Sequence, residues 1–251
     1  MLYRLFNYLY PRNFHGLIWE LTPTFNQYKD VIRQLDKNQG YEDFLLNLLK
    51  IEYDSRTEKS QQRKIKIAGF PYMKTLDELD TSRFEHISEP FVKELASCDF
   101  IKKRQNIVMI GNPGTGKTHL SIALGVKACM QGINVKFYTA ANLANELIEA
   151  QEYKKLIRLE KQISKAELLI IDELSYLTFN RYQSELLFKV IADRAERQSV
   201  IVSTNLKFSD WISMFENKTM VTALIDRLTF KSHVLNMNSE NPYRAEHAGK
   251  E

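Results

Sequence analysis

One run of residues carries the clearest chemistry in this chain: Gly111-Asn112-Pro113-Gly114-Thr115-Gly116-Lys117-Thr118, a complete G-x-x-x-x-G-K-T. Glycines at these spacings let the backbone curl so that successive N–H groups point at the oxygens of a phosphate. An apolar run, Asn106 to Ile110, precedes the loop, and a helical pattern, Lys117 to Gln131, follows it. A strand feeding such a loop, which then opens a helix, places the positive helix end at the anion. Lys117 then reaches the β- and γ-phosphates of ATP, and Thr118 supplies a hydroxyl to Mg2+. The alternative, a Gly-rich turn that matches by chance, does not account for the strand and helix on either side.

A second apolar run, Leu168-Leu169-Ile170-Ile171, ends in Asp172-Glu173. Asp172 is placed to hold Mg2+, and Glu173 to polarise the attacking water as a general base. The plainer alternative is a solvated strand end or a helix cap. A Glu directly after the Asp favours hydrolysis over small-molecule kinase chemistry, for which no acceptor-binding motif is visible. A third run, Val200-Ile201-Val202, continues into Ser203-Thr204-Asn205. If that strand lies between the other two, Asn205 faces the γ-phosphate and orients the water. Arg227, within Ile225-Asp226-Arg227-Leu228, has two readings. It is a surface or salt-bridge residue, or an arginine finger delivered to a neighbouring subunit's ATP.

Strands alternating with helices would position these groups, and the pattern predicts such an α/β scaffold. Strands are expected over 106–110, 133–138, 168–171, 200–203 and 233–237. Helices are expected over 88–100, 117–131, 140–150, 152–164 and 183–198, with helical material over 208–229. Ser88 reads as an N-cap with Pro90 in the first turn, and Gly132 as a C′ residue. Together these elements predict a parallel five-stranded sheet flanked by helices. Upstream, Phe25, Tyr28, Val31, Ile32 and Leu35 recur at helical spacing. After Gly40, so do Tyr41, Phe44, Leu45, Leu48, Leu49 and Tyr53, which predicts an αα-hairpin. Residues 1–22 lack firm periodicity, and their Tyr3, Phe6, Tyr8 and Tyr10 fit either a core or a self-association surface. The division expected is a small N-terminal helical domain, 1–66, and an ATPase domain, 67–251, with Phe70-Pro71 at the boundary.

The 251 residues are 44% apolar and 26% charged, which excludes wholesale disorder. No stretch approaches the roughly 20 apolar residues of a membrane span. The aromatic N-terminus carries Arg4 and has no clean apolar core, so no signal peptide and no membrane role are expected. Cys98 and Cys129 are too few for a disulfide framework or a zinc site. They sit in helical patterns as buried thiols, and the reducing cytoplasm is the compartment expected. His15, His86, His119, His233 and His247 are scattered without metal spacing.

The net charge of +4 permits nucleic-acid binding without requiring it. Lys154, Lys155, Arg158, Lys161 and Lys165 face only Glu160, and Lys154, Arg158, Lys161 and Lys165 are spaced to share one helix face. Arg56, Lys59, Arg63 and Lys64 form a second basic set within the polar run 54–66. Each set is a solvated face or linker, or a contact to a phosphate backbone. Backbone contact would make binding salt-dependent and nearly independent of sequence. No helix-turn-helix or zinc-finger signature suggests base reading.

The whole resembles the AAA+ P-loop NTPases of the IstB/DnaC-like branch over about residues 24–244, and most of all the IstB transposition helpers. Phe70-Pro71-Tyr72-Met73-Lys74-Thr75-Leu76 is similar to the stretch before the ATPase core of IstB proteins. Asn112 to Leu120, His119 included, resembles their P-loop. Asp172-Glu173-Leu174-Ser175-Tyr176-Leu177 resembles their D-E-x-G-Y-L, with Ser175 in place of the Gly. Thr204-Asn205 is similar to sensor 1, and Leu224 to Leu228 to the box that carries the finger. Tyr243-Arg244 resembles the S-Y-R close, with Pro242 in place of Ser.

The resemblance implies Arg227 as the finger, Asn205 as the sensor, His119 within the nucleotide site, and adenine binding near Phe70 to Leu76. Only residues 238–251 follow the last predicted strand, too few for the helical lid of many AAA+ proteins, which this branch also lacks. The function implied is an ATP- and Mg2+-dependent ATPase that binds double-stranded DNA. It would form a homo-oligomer with ATP at the subunit interfaces and activate or target a partner transposase. Two alternatives stand beside it. One is a DnaC-like replicative helicase loader that works with single strands and a helicase. The other is a nucleotide-dependent scaffold whose hydrolysis is incidental.

Overall fold

Three apolar runs form the middle of a parallel sheet, because strands buried on both faces need side chains that are apolar on both. They are β1 (Asn106–Ile110), β3 (Leu168–Asp172) and β4 (Ser199–Thr204). The computed structural model describes residues 40–84, 87–174, 181–195, 197–213 and 218–238, together with Tyr28 and residues 30–33. Two further strands, β2 (Val135–Thr139) and β5 (Ser232–Asn236), complete a five-stranded sheet in the order β2-β3-β4-β1-β5. Every pairing in it is parallel.

Alternation along the strands sorts the core onto two faces. Ile107, Met109, Leu168, Ile170 and Ile201 point into one apolar core. Val108, Leu169, Ile171, Val200 and Val202 point into the other. The first face is covered by α2 (Glu89–Ala96), α3 (Asp99–Lys102) and α4 (Lys117–Met130). The second is covered by α5 (Ala140–Glu152), α6 (Leu156–Ser164), α7 (Arg181–Ala195) and α8 (Lys218–Thr229). One polar side chain is buried at the foot of the sheet for a reason. Asn106 donates to the carbonyls of Ala195 and Leu228, at 3.3 and 3.2 Å, and accepts from Val200 N at 3.0 Å. It ties β1, β4, α7 and α8 together.

The helices differ from expectation in two places, and in a third one of two open alternatives is found. The span 88–100 is not one helix. α2 opens on Ser88, whose Oγ accepts from Phe91 N, and stops at Ala96. Cys98 then takes φ 60°, and Ser97 Oγ accepts from Asp99 N to start α3. Cys98 is thus a buried thiol at a break, whereas Cys129 lies inside α4. The expected basic helix begins later, at Leu156, because Lys154 adopts φ 55° and turns the chain after α5. Lys154 and Lys155 therefore precede the helix, and Arg158 and Lys161 alone of the site candidates lie on it. Finally, the polar run 54–66 is fully helical, part of α1 (Tyr41–Ala68).

The chain divides into two compact units, Met1–Gln61 and Gln62–Glu251. In the first, Tyr28 and residues 30–33 are helical, Val31 is buried, and Arg56 pairs with Glu52 at 2.6 Å. Phe25 and Leu35 of the expected hairpin lie outside the described residues, as do residues 1–22. Among the described residues, no helix is long and apolar enough to cross a membrane.

Candidate nucleotide site

The phosphate loop leaves the end of β1 between two neighbouring strand ends. Gly111 N donates to Thr204 O at 3.2 Å, and Met237 N donates to Ile110 O at 2.7 Å. A Cβ on residue 111 would lie 2.8 Å from the Met237 carbonyl carbon, so only glycine can start the loop here. Gly116, at φ 94°, sits in the left-handed region and is the N-cap of α4. Lys117 follows it into the helix and is only 7% exposed. Its ammonium donates 2.7 Å hydrogen bonds to the carbonyls of Gly111 and of Asn112, and Thr115 Oγ1 donates to the latter at 2.9 Å. The loop is wound around one buried cation at a helix N-terminus, a cradle that fits a polyphosphate. Asn112 N also donates to Asn238 Oδ1 at 2.9 Å, so a residue two positions beyond β5 holds the first turn of the loop.

The acidic strand end lies against this cradle. Thr118 Oγ1 donates to Asp172 Oδ2 at 2.8 Å, and Ser203 Oγ donates to Asp172 Oδ1. A hydroxyl and a carboxylate, both hard oxygen donors, suit Mg2+. The next residue turns sharply. Glu173 has φ 58°, a region that costs a side-chain-bearing residue on the order of 1 kcal/mol. Its N–H donates to Ser203 Oγ at 2.9 Å, and Leu174 N donates to Ser203 O at 2.9 Å. The Glu173 side chain is exposed and lines the cleft together with Asn205. Asn205 reaches the site because β4 does lie between β1 and β3.

The cleft has a volume of about 280 Å3, and its far wall comes from residues 72–84. Of the stretch Phe70 to Leu76, Tyr72 and Lys74 line it. Phe70 turns away to pack on Phe137, with ring centroids 5.9 Å apart, and Leu76 packs against the core. Glu78, Leu79, Asp80 and Phe84 continue the wall. Lys74 donates to Glu78 at 2.8 Å, and that hydrogen bond holds the Glu78 carboxyl below its ordinary range. His119 Nε2 lies 2.8 Å from Thr75 O, which requires the proton on Nε2, and so joins the P-loop helix to this wall.

Sequence reasoning assigned no role to Ser203, Asn238 or the segment 77–84. Asp80 alone carried a local signal, since its carboxylate accepts from Ser82 N at 3.1 Å to cap a short 3-10 turn. Arg227 is not among the residues lining the cleft. It is half-buried in the last turn of α8, with Nη1 3.4 Å from Ala223 O and its guanidinium over the Phe188 ring at 6.0 Å. Lys154, Lys155, Arg158 and Lys161 are exposed at the α5–α6 corner and on α6, also away from the cleft. Lys59 and Arg63 are exposed on α1, while Lys64 Nζ donates to Asn134 Oδ1 at 2.5 Å. Ser175, Tyr176, Leu177, Pro242, Tyr243, Arg244, His15, His86 and His247 lie outside the described residues.

A strand seated between an acidic strand and the strand that feeds a P-loop is the strand order of the AAA+ fold. Solved structures agree on the fold. AMPPCP-bound DnaA from Aquifex aeolicus superposes with a TM-score of 0.58 at 18% identity, over 70% of this chain and 53% of that one. The DnaC helicase loader superposes with a TM-score of 0.54 at 20% identity, over 64% of this chain and 95% of that one. The protein has the P-loop fold of this class. The profile of the family described as IstB-like ATP binding protein matches residues 20–250. A protein of insertion sequence IS21 from Pseudomonas aeruginosa, named for ATP binding, is 37% identical over 205 residues, 82% of this chain and 77% of its own length. Its counterpart from insertion sequence IS5376 of Geobacillus stearothermophilus is 35% identical over 204 residues, 81% of each chain. The chain belongs to the IstB-like ATP-binding family.

Proposed function

We propose that this ATPase assembles on double-stranded DNA as a homo-oligomer, with ATP between subunits, and there activates or targets a partner transposase. The observation that carries the proposal is the insertion-sequence origin of relatives 37% and 35% identical to the chain. The residues divide the work as follows. Residues 111–118 and Lys117 bind the phosphates, with the adenine against the wall that begins at Tyr72. Thr118 and Asp172 would hold Mg2+, which when bound would supply charge neutralisation to the phosphates. Glu173 takes a proton from a water that Asn205 orients. The water oxygen bonds to the γ-phosphorus, the bond to the β–γ bridging oxygen breaks, and ADP departs. Arg227 lies away from its own chain's cleft, which supports action on a neighbour's ATP. Its contribution there would be roughly 10³ to 10⁵ in rate.

Exposed Lys154, Lys155, Arg158 and Lys161 support contact with the DNA backbone, with Lys59 and Arg63 as a second set. Arg56 and Lys64 already serve Glu52 and Asn134, and contribute less.

The test is ATP turnover with and without a long duplex of arbitrary sequence, in wild type and Arg227→Ala, with particle size followed by light scattering. Duplex should raise turnover and particle size together. Arg227→Ala should lose the turnover while still binding ATP. Stimulation by single strands or a helicase alone, with none by duplex, would replace this proposal with a helicase loader.

A further inference from the structure

We infer that Ser203 is the positioning residue that aims Glu173 at the cleft. The inference rests on Glu173 being the base that takes the proton from water. Ser203 is 1% exposed, and its hydroxyl reaches the side chain of one residue and the main chain of the next. It donates to the Asp172 carboxylate and accepts from Glu173 N at 2.9 Å. A serine hydroxyl has one proton to give and lone pairs to receive, so a single side chain meets both needs. The Ser203 carbonyl accepts from Leu174 N at 2.9 Å, and Leu174 is fully buried. Ser203 therefore holds the chain immediately before, at and after Glu173.

What it holds is a conformation the chain would not choose. Glu173 carries a side chain at φ 58°, where L-residues are sparse. Ordinary strand geometry would send residue 173 to the opposite side of the strand from Asp172. The left-handed turn keeps Asp172 inward on Thr118 and also leaves Glu173 lining the nucleotide cleft. Without the hydroxyl, the Glu173 N–H loses its acceptor and the turn loses one of its two ties to β4. Thr118 Oγ1 still holds Asp172 Oδ2, so the loss falls on the base rather than on nucleotide binding. Ser203 borders the cleft beside Glu173 and Asn205, and in this role it acts through the main chain of Glu173.

The test compares Ser203→Ala, Ser203→Thr, Glu173→Gln and the double variant Ser203→Ala/Glu173→Gln. Each is assayed for ATP affinity, kcat, KM and the Mg2+ dependence of turnover, and ATP binding reports folding. Ser203→Ala should lower kcat by about 10- to 100-fold, with KM, ATP affinity and Mg2+ dependence within about threefold of wild type. Ser203→Thr, which keeps the hydroxyl, should restore most of kcat. If Ser203→Ala does not fold, Ser203→Cys, close in size and a weak donor, carries the same comparison.

The double variant is decisive, because residues that act as a unit are not additive. It should turn over no more slowly than Glu173→Gln alone. A further loss of the same factor, or a shifted Mg2+ dependence, would place Ser203 on Asp172 instead and overturn the inference. Full turnover by Glu173→Gln would remove the base assignment, and the inference with it. Loss in Glu173→Gln with full turnover in Ser203→Ala would overturn the inference alone.

Discussion

Thr118 and Asp172 stand 54 positions apart and are joined by a 2.8 Å hydrogen bond from Oγ1 to Oδ2. One belongs to the helix after β1 and the other to the end of β3, and β4 lies between those strands. The bond therefore joins elements that belong to strands on either side of β4, and it brings together the two oxygens proposed to hold the cation. Asp172→Asn preserves shape and removes charge. ATP binding in EDTA should stay within about threefold of wild type. The Mg2+ concentration needed for half-maximal turnover should rise at least roughly tenfold, since a neutral amide is a far weaker ligand for a hard cation. Turnover titrated against Mg2+ checks this, and an unchanged midpoint would assign the cation elsewhere.

His119 reads differently. Its Nε2 meets the Thr75 carbonyl at 2.8 Å, so it braces the far wall of the cleft from the P-loop helix. A hydrogen bond of this kind is worth about 1 kcal/mol. His119→Ala should weaken ATP binding about three- to tenfold and leave turnover at saturating ATP nearly unchanged. His119→Gln, which keeps a donor, should recover part of the affinity. Isothermal titration and saturation kinetics separate the two effects, and a kcat loss without an affinity loss would give His119 a different role.

Stability should depend on a residue far from the nucleotide. Arg194 is buried to 4% exposure, and its guanidinium donates to Ile163 O at 2.6 Å and to Ala166 O at 2.7 Å. It fastens the end of α6 to α7, and so secures the helix that carries Arg158 and Lys161. Burial pulls its pKa down to about 10, which still leaves a cation at neutral pH. Arg194→Met strips two buried carbonyls of their donors and should cost about 3 kcal/mol in urea unfolding. Arg194→Lys should recover less than half, because an ammonium cannot reproduce the fork. A loss under about 0.5 kcal/mol in the Met variant would show that the carbonyls find other partners.

Much of this site was legible locally. The P-loop, its strand and its helix are contiguous in sequence, and the buried strands announce themselves as apolar runs. Gly132 at φ 83° after α4 and Ser88 before α2 are caps whose chemistry is visible in their residue types. The breaks at Cys98 and Lys154 were not legible, because each puts a side-chain-bearing residue where glycine is the usual signal. The segment 77–84 completes the far wall of the cleft with only the Asp80 cap to mark it. Its side chains gain meaning only from the loop they face.

The chemistry proposed for the site could be read from residue types alone, since phosphate cradling, cation holding and water activation each require particular ones. The amino-acid sequence by itself also determined that a parallel α/β sheet would carry them, through a periodicity set by neighbouring residues. Tertiary structure alone decided which strand ends meet. The order β2-β3-β4-β1-β5 puts Ser203 under the Asp172–Glu173 peptide, Asn205 in the cleft and Asn238 against the P-loop. These contacts join residues that are remote along the chain, through hydrogen bonds that act over about 3 Å. No local pattern encodes that proximity; packing the sheet and its two apolar cores creates it.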